Sequence, residues 1–267
     1  MLRDITLGQY YQTDSVIHRL DPRVKLAGTL LYIISLFFFK NFVAYLIAIA
    51  FLATVISLSH VPFRFMVKGM RAIVFLLLIT VIFNLFLTPG EALVTFWKLT
   101  ITREGVEIAL TMAVRLTMLI IGSSIMTLTT TPNNLTDGME KGMRPLKIFH
   151  VPVHEVAMMM SIALRFIPIL LEETDKIMKA QIARGADFES GNLIKRAKAL
   201  VPLLVPLFIS AFRRANDLAM AMEARCYRGG EGRTKMKPLI YQRRDRIAYL
   251  CILGYLVVSI GVGRMTL

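Results

Sequence analysis

Several apolar runs in this chain approach or exceed the roughly 20 residues that an α-helix needs to cross a bilayer, and that feature governs every later inference. The first run covers about Val24 to Phe39, the second Phe42 to Leu58, the third Ala72 to Leu87, the fourth Gly105 to Leu128 and the last Ile247 to Val262. Hydrophobic residues make up 55% of the 267, and the mean hydropathy is +0.60. A soluble domain carries a smaller apolar share. The expected fold class is therefore an all-α membrane protein with about five transmembrane helices and long amphipathic cytoplasmic helices. Three segments follow: a membrane domain over 1–131, a cytoplasmic coupling domain over 132–246 and a last transmembrane helix over 247–267.

Local chemistry supports the boundaries. Asp21 suits an N-cap, and Pro22 suits the first helical position, where its missing N–H costs nothing. Lys40-Asn41 forms a short turn, Arg64, Lys68 and Arg71 a basic loop, and Thr88-Pro89-Gly90 ends the third run before a loop with Trp97. The first 23 residues hold Arg3, Asp4, Asp14, Arg19, Asp21 and Arg23, with no apolar core or cleavage site of a secretory signal. Cys226 and Cys251 lie in unlike settings and suggest neither a disulfide framework nor a metal site.

The net charge of +14 comes from 32 Lys and Arg against 18 Asp and Glu. In a membrane protein such an excess first reports topology rather than nucleic acid. Between Pro132 and Arg246 stand 20 basic and 12 acidic residues. With that segment in the cytoplasm, 27 basic residues fall inside and four outside (Lys40, Lys98, Arg103 and Arg264), while Arg115 lies within a span. The expected topology has five spans, a cytoplasmic N-terminus and an extracellular C-terminus at the cell membrane. A count of six or more competes with it. His150 to Leu171 is apolar but contains His154, Glu155 and Arg165, and Leu200 to Phe212 is short and holds Pro202 and Pro206. Both are read as long helices partly buried at the membrane surface or against partners.

Two apolar seams run through the cytoplasmic segment. Val156, Met160, Ala163, Ile167, Leu170, Thr174 and Ile177 recur at steps of four and three, as do Phe208, Phe212, Ala215, Ala219 and Met222. Each pattern places one apolar stripe along a helix. On spacing alone, two surface helices packed on each other would explain them. Their ends say more: the first finishes Ala183-Arg184-Gly185 and the second Ala224-Arg225-Cys226, in a register of 41 residues. Gly185 suits a left-handed C-cap, and a basic residue in a last turn is favoured by the helix dipole. Twin ends of this kind suggest docking to two similar partners, with small alanines allowing close approach.

At both places the chain resembles the transmembrane T component (EcfT) of energy-coupling-factor transporters, whose cytoplasmic coupling helices end in Ala-Arg-Gly signatures. Cys226 replaces the second glycine. The stretches Glu223 to Gly230, Ser15 to Leu26 and Thr129-Thr130-Thr131-Pro132 are similar to the family as well. The resemblance implies a non-catalytic membrane subunit of an ATP-driven vitamin or micronutrient importer. Its implied partners are two ABC-type ATPase subunits and a small integral-membrane substrate-binding S component. The chain itself would hold no cofactor, ATP being bound by the ATPases. Arg184 and Arg225 would each enter a groove on one ATPase, where a guanidinium fork can hold a carboxylate in two hydrogen bonds.

Other readings are weaker. His150, His154 and Glu155 invite a metalloprotease, but a His-Glu-x-x-His helix would need histidine where Met158 stands. No phosphate-cradling Gly-x-x-x-x-Gly-Lys-Ser/Thr loop exists. Arg115 is expensive inside a membrane and is expected to have a structural partner, either Glu107 or a neighbouring helix. Nine of the sixteen methionines fall between Pro132 and Arg246, and they could line an adaptable binding face. A stand-alone secondary transporter or channel is the alternative function, but its spans should carry more ionisable sites than these. The substrate is not encoded legibly here.

Overall fold

The computed structural model describes residues 10–39, 41–96, 99–186, 188, 192–230, 232, 236 and 238–265. Its eight α-helices are α1 (Pro22–Phe38), α2 (Phe42–Ser59), α3 (Phe63–Leu87), α4 (Arg103–Thr129), α5 (Pro132–Gly142), α6 (Val153–Ala183), α7 (Leu193–Ala224) and α8 (Arg243–Met265). A short hairpin, β1 (Ala92–Phe96) and β2 (Leu99–Thr102), joins α3 to α4, and a 3-10 turn over Arg144–Phe149 precedes α6. The architecture is all-α apart from that hairpin, which stands where a plain loop was expected; Trp97 and Lys40 lie outside the described residues.

The chain forms two compact units. One is Glu140–Pro238; the other is the described part of Gly8–Met139 with Leu239–Leu267. In the second unit α3 packs on α4, α1 on α4 and α8, and α2 on α8 and α4. Tyr32, Leu36, Tyr45, Leu52, Met118, Ile125 and Tyr255 form its buried centre. Large apolar side chains such as Phe37, Phe75, Phe83, Leu250 and Val257 point outward, as they must where the surroundings are hydrocarbon rather than water.

Among the described residues, five helices are long and apolar enough to cross a membrane: α2, α4, α6, residues 198–224 of α7 and residues 243–262 of α8. The number agrees with expectation, but the membership differs. α1, with 17 residues, lies at the lower limit of a span. The apolar part of α3 is Ile73–Leu87, and Arg64, Lys68 and Arg71 lie on the helix itself rather than in a loop. α6 and α7 qualify because the helix runs on through Pro168, Pro202 and Pro206. Counting the 13 residues around the two α7 prolines underestimated a helix of 32.

Polar groups in the second unit are tied together over long sequence distances. Asp21 caps α1, its carboxylate accepting from the Arg23 N–H at 2.9 Å. Its own N–H donates to the buried Asp245 carboxylate at 2.8 Å, which also accepts from the Gln242 N–H at 2.7 Å. Asp245 therefore caps the start of α8 by accepting from the Gln242 N–H and fastens that helix to the start of α1. Arg115 donates to the Tyr45 hydroxyl at 2.9 Å and to the Phe39 carbonyl at 3.2 Å. Its partners are thus on neighbouring elements and not the exposed Glu107. This is the structural role expected of it.

Candidate functional site

The six residues singled out at the twin ends occupy equivalent positions. α6 ends at Ala183, with Arg184 as C-cap; Gly185 follows at φ +90°. The Gly185 N–H donates to the Ile182 carbonyl and the Ala186 N–H to the Gln181 carbonyl, both at 2.9 Å. α7 ends at Ala224, Arg225 follows, and Cys226 adopts φ +53°. There the Cys226 N–H donates to Glu223 at 2.8 Å and the Tyr227 N–H to Met222 at 3.0 Å. Both are Schellman motifs, in which a left-handed residue turns two N–H groups back onto the last turn's carbonyls. Replacing glycine by cysteine leaves the second motif's hydrogen bonds unchanged. It does place a Cβ in a conformation that L-residues adopt at a cost of about 1–2 kcal/mol.

The consequence is a matched presentation. Ala183, Arg184, Gly185, Ala224, Arg225 and Cys226 are all exposed. Neither guanidinium has a hydrogen-bond or ion-pair partner among the described residues. The chain turns sharply away after each arginine, which leaves the side chain at a free helix end.

The two helices pack on each other. Arg214 donates to the Glu173 carboxylate at 2.6 Å, and the Gln181 amide donates to the Pro202 carbonyl at 3.3 Å. Along α6 the contacts advance from 173 to 181, and along α7 they retreat from 214 to 202, so the helices run in opposite directions. At about 1.5 Å per residue, the capped ends lie on the order of 30 Å apart. Sequence reasoning missed the Glu173–Arg214 pair. Its signal was available, because these two residues are also 41 apart.

Around the start of α6, His154 Nδ1 lies 3.0 Å from Glu140 Oε1. Gly230, just beyond the second motif, approaches so closely that a Cβ there would fall 2.2 Å from His154 Cδ2. That glycine is required by space. No group of three His, Cys, Asp or Glu side chains able to hold a metal exists among the described residues. The apolar seam expected on α7 is exposed at Phe208 (60%) and Phe212 (69%), together with Val201, Val205 and Ile209. The α6 seam is half-buried.

A helical architecture in which five helices among the described residues are long and apolar enough to cross a bilayer defines a multi-pass membrane protein. Residues 13–236 match the family described as CbiQ, cobalt transport protein. A protein of Clostridium kluyveri named energy-coupling factor transporter transmembrane protein EcfT is 57% identical over 262 residues, 97% of each chain. Proteins of the same name from Thermosediminibacter oceani and Listeria innocua are 53% and 46% identical, covering 97% and 98% of each chain. The chain belongs to the EcfT family of energy-coupling factor transporter transmembrane proteins.

Proposed function

We propose that the chain is the transmembrane scaffold of an ATP-driven vitamin or micronutrient importer, coupling two ABC-type ATPase subunits to a membrane-embedded substrate-binding S component. One observation carries this reading: two exposed arginines, without a partner among the described residues, on matched Schellman ends at opposite tips of an antiparallel helix pair. Each arginine fits an acidic groove on one of two similar ATPases. Movement of the ATPases changes the distance between the tips, and the Glu173–Arg214 contact passes that movement to the rest of α6 and α7. The exposed apolar stripe on α7 fits an apolar membrane partner better than water.

Reconstitution tests the proposal. Expressed with its ATPases and an S component, the chain should co-purify with them in mild detergent and support ATP-driven uptake in proteoliposomes. The isolated chain should hydrolyse no ATP. Substrate uptake by the chain alone would instead make it a stand-alone transporter.

The orientation belongs to the same proposal: α6 and α7, though long and apolar enough to cross, lie on the cytoplasmic side with the N-terminus and the rest of residues 132–246, and the C-terminus is outside, as the basic residues divide. A cysteine placed at Thr266 should react with an impermeant thiol reagent on intact cells, and Cys226 should not. Labelling of Cys226 from outside would overturn the orientation.

A further inference from the structure

A groove of about 640 Å³ opens between α1, α2, α4 and α8. Its walls are apolar, with Phe51, Val55, Ile125, Ile252 and Val258 among the lining residues, and its length along α8 runs from Arg244 to Val258. At about 1.5 Å per residue that is roughly 21 Å, more than the ~15 Å depth of one leaflet's hydrocarbon. Two glycines shape it. A Cβ on Gly28 would fall 2.7 Å from Ile252, and one on Gly122 would fall 2.6 Å from Tyr32.

One end of the groove differs from the rest. Lys25 and Arg244 line it there. The Lys25 ammonium is held by the carbonyls of His18 at 3.1 Å and Thr129 at 2.8 Å. The Arg244 Nε is buried with no hydrogen-bond partner among the described residues. The nearby carboxylates are already committed, Asp21 to Arg23 and Asp245 to two backbone N–H groups. Arg243 and Arg246 add exposed positive charge beside the mouth. An apolar slot as deep as an acyl chain, with an unpaired guanidinium at one end, has the chemistry of an anionic amphiphile's binding site.

We propose that the groove holds one anionic phospholipid, with an acyl chain along its walls and the phosphate at Arg244. The guanidinium supplies hydrogen bonds as well as charge, so the site discriminates between headgroups of different net charge. The bound lipid fills space that the four helices leave open.

The test uses the purified full chain in detergent, exposed to equal amounts of palmitoyl-oleoyl phosphatidylglycerol and phosphatidylcholine and weighed by native mass spectrometry. The parent should retain one lipid per chain, with at least tenfold preference for phosphatidylglycerol. Arg244→Gln, which keeps the packing, should still retain a lipid with the preference reduced to within about twofold. Ala248→Trp, checked for monodispersity, should fill the groove and abolish retention; Thr54→Phe, on the groove's rim, serves the same purpose if the first variant does not fold. Equal retention of both lipids by the parent, or an unchanged preference in Arg244→Gln, overturns the proposal. So does cross-linking of Cys251, which lines the groove, to a second copy or another protein's helix in place of lipid retention.

Discussion

Arg115 and Arg184 are both carried on long helices, yet the chain treats them in opposite ways. Arg115 is held by the Tyr45 hydroxyl and the Phe39 carbonyl inside the unit that contains α1 to α4. Arg23 and Lys25 are likewise engaged, by Asp21, Leu239, His18 and Thr129. In the unit over Glu140–Pro238, Arg184 and Arg225 project from helix ends with no partner among the described residues. An arginine used for stability is surrounded by acceptors from its own chain, because a buried unpaired charge is costly. On the coupling proposal, Arg184 and Arg225 would stand in water on rigid helix ends until a partner arrives.

The sharpest way to break this contrast is to remove the two free arginines. A desolvated arginine paired with a partner's carboxylate typically costs about 2–5 kcal/mol when truncated. At about 1.4 kcal/mol per decade, Arg184→Ala or Arg225→Ala alone should weaken ATPase docking by about one to three orders of magnitude. The other site still holds by avidity, so each single variant should assemble partly and transport poorly. The double variant should release the ATPases on size-exclusion chromatography. Lysine should rescue incompletely, since it keeps the charge without the planar fork. Arg213→Ala, exposed and away from the helix end, is the control. Normal assembly by the double variant would reduce these arginines to helix caps.

The opposite kind of group is tested at Asp245, which is 1% exposed and accepts from the Asp21 and Gln242 N–H groups. Asp245→Ala leaves both donors without that acceptor, and hydrogen bonds to charged groups contribute about 1.5–3 kcal/mol each. Thermal unfolding in detergent should show a loss of about 3 kcal/mol or more, with Asp245→Asn recovering part of it. Unchanged stability would mean that water replaces the carboxylate readily and that α1 and α8 need no such link.

How far each region could be read in advance depended on the range of its interactions. The Asp21-Pro22 start of α1 and the Arg184 and Arg225 ends follow from a few adjacent residues, so capping rules locate them. The Asp21–Asp245 link spans 224 positions, and nothing local announces it. Arg115 illustrates the same limit: sequence spacing offered Glu107, whereas packing supplied Tyr45 from another helix. The length of α7 was legible in its seam but obscured by Pro202 and Pro206, because a proline's lost hydrogen bond does not end a helix whose other contacts persist. The hairpin between α3 and α4 was taken for a loop, its strands being only five and four residues long.

A smaller effect separates His18 from the exposed histidines. Its Nδ1 meets the Ser15 hydroxyl at 2.7 Å and its Nε2 the Tyr11 carbonyl at 3.0 Å. Burial, aided by Lys25 and opposed by hydrogen bonding to Tyr11 and by Asp14, holds its pKa below the ordinary 6.5. Between the folded and unfolded values, the unfolded chain binds a proton that the folded chain does not. The contribution is therefore complete above about pH 6.5 and is lost as pH falls toward and through the lowered value. The protection factors of residues 10–20, corrected for the slower intrinsic exchange at low pH, should fall on acidification from pH 7.5 to 5, and His18→Gln should flatten that response. An equal response in His18→Gln would assign it to other groups.

The finest comparison lies within the candidate site itself, between Gly185 and Cys226. Both occupy the left-handed position of the same hydrogen-bonded motif, so they differ in side chain and not in fold. Cys226→Gly should relieve the left-handed strain of about 1–2 kcal/mol. It also adds unfolded-state freedom worth about 0.4–1 kcal/mol. The net gain should be about 0–1.6 kcal/mol, with ATPase docking intact because Arg225 keeps its place. Gly185→Cys should lose a similar amount. The sites are far apart along antiparallel helices, so the two changes should add, and the exchange variant should return nearly to the parent's stability. Thermal unfolding of the four proteins measures this directly. If Cys226→Gly weakened docking while stability rose, the thiol itself would touch the partner, and the two ends would be equivalent in backbone only.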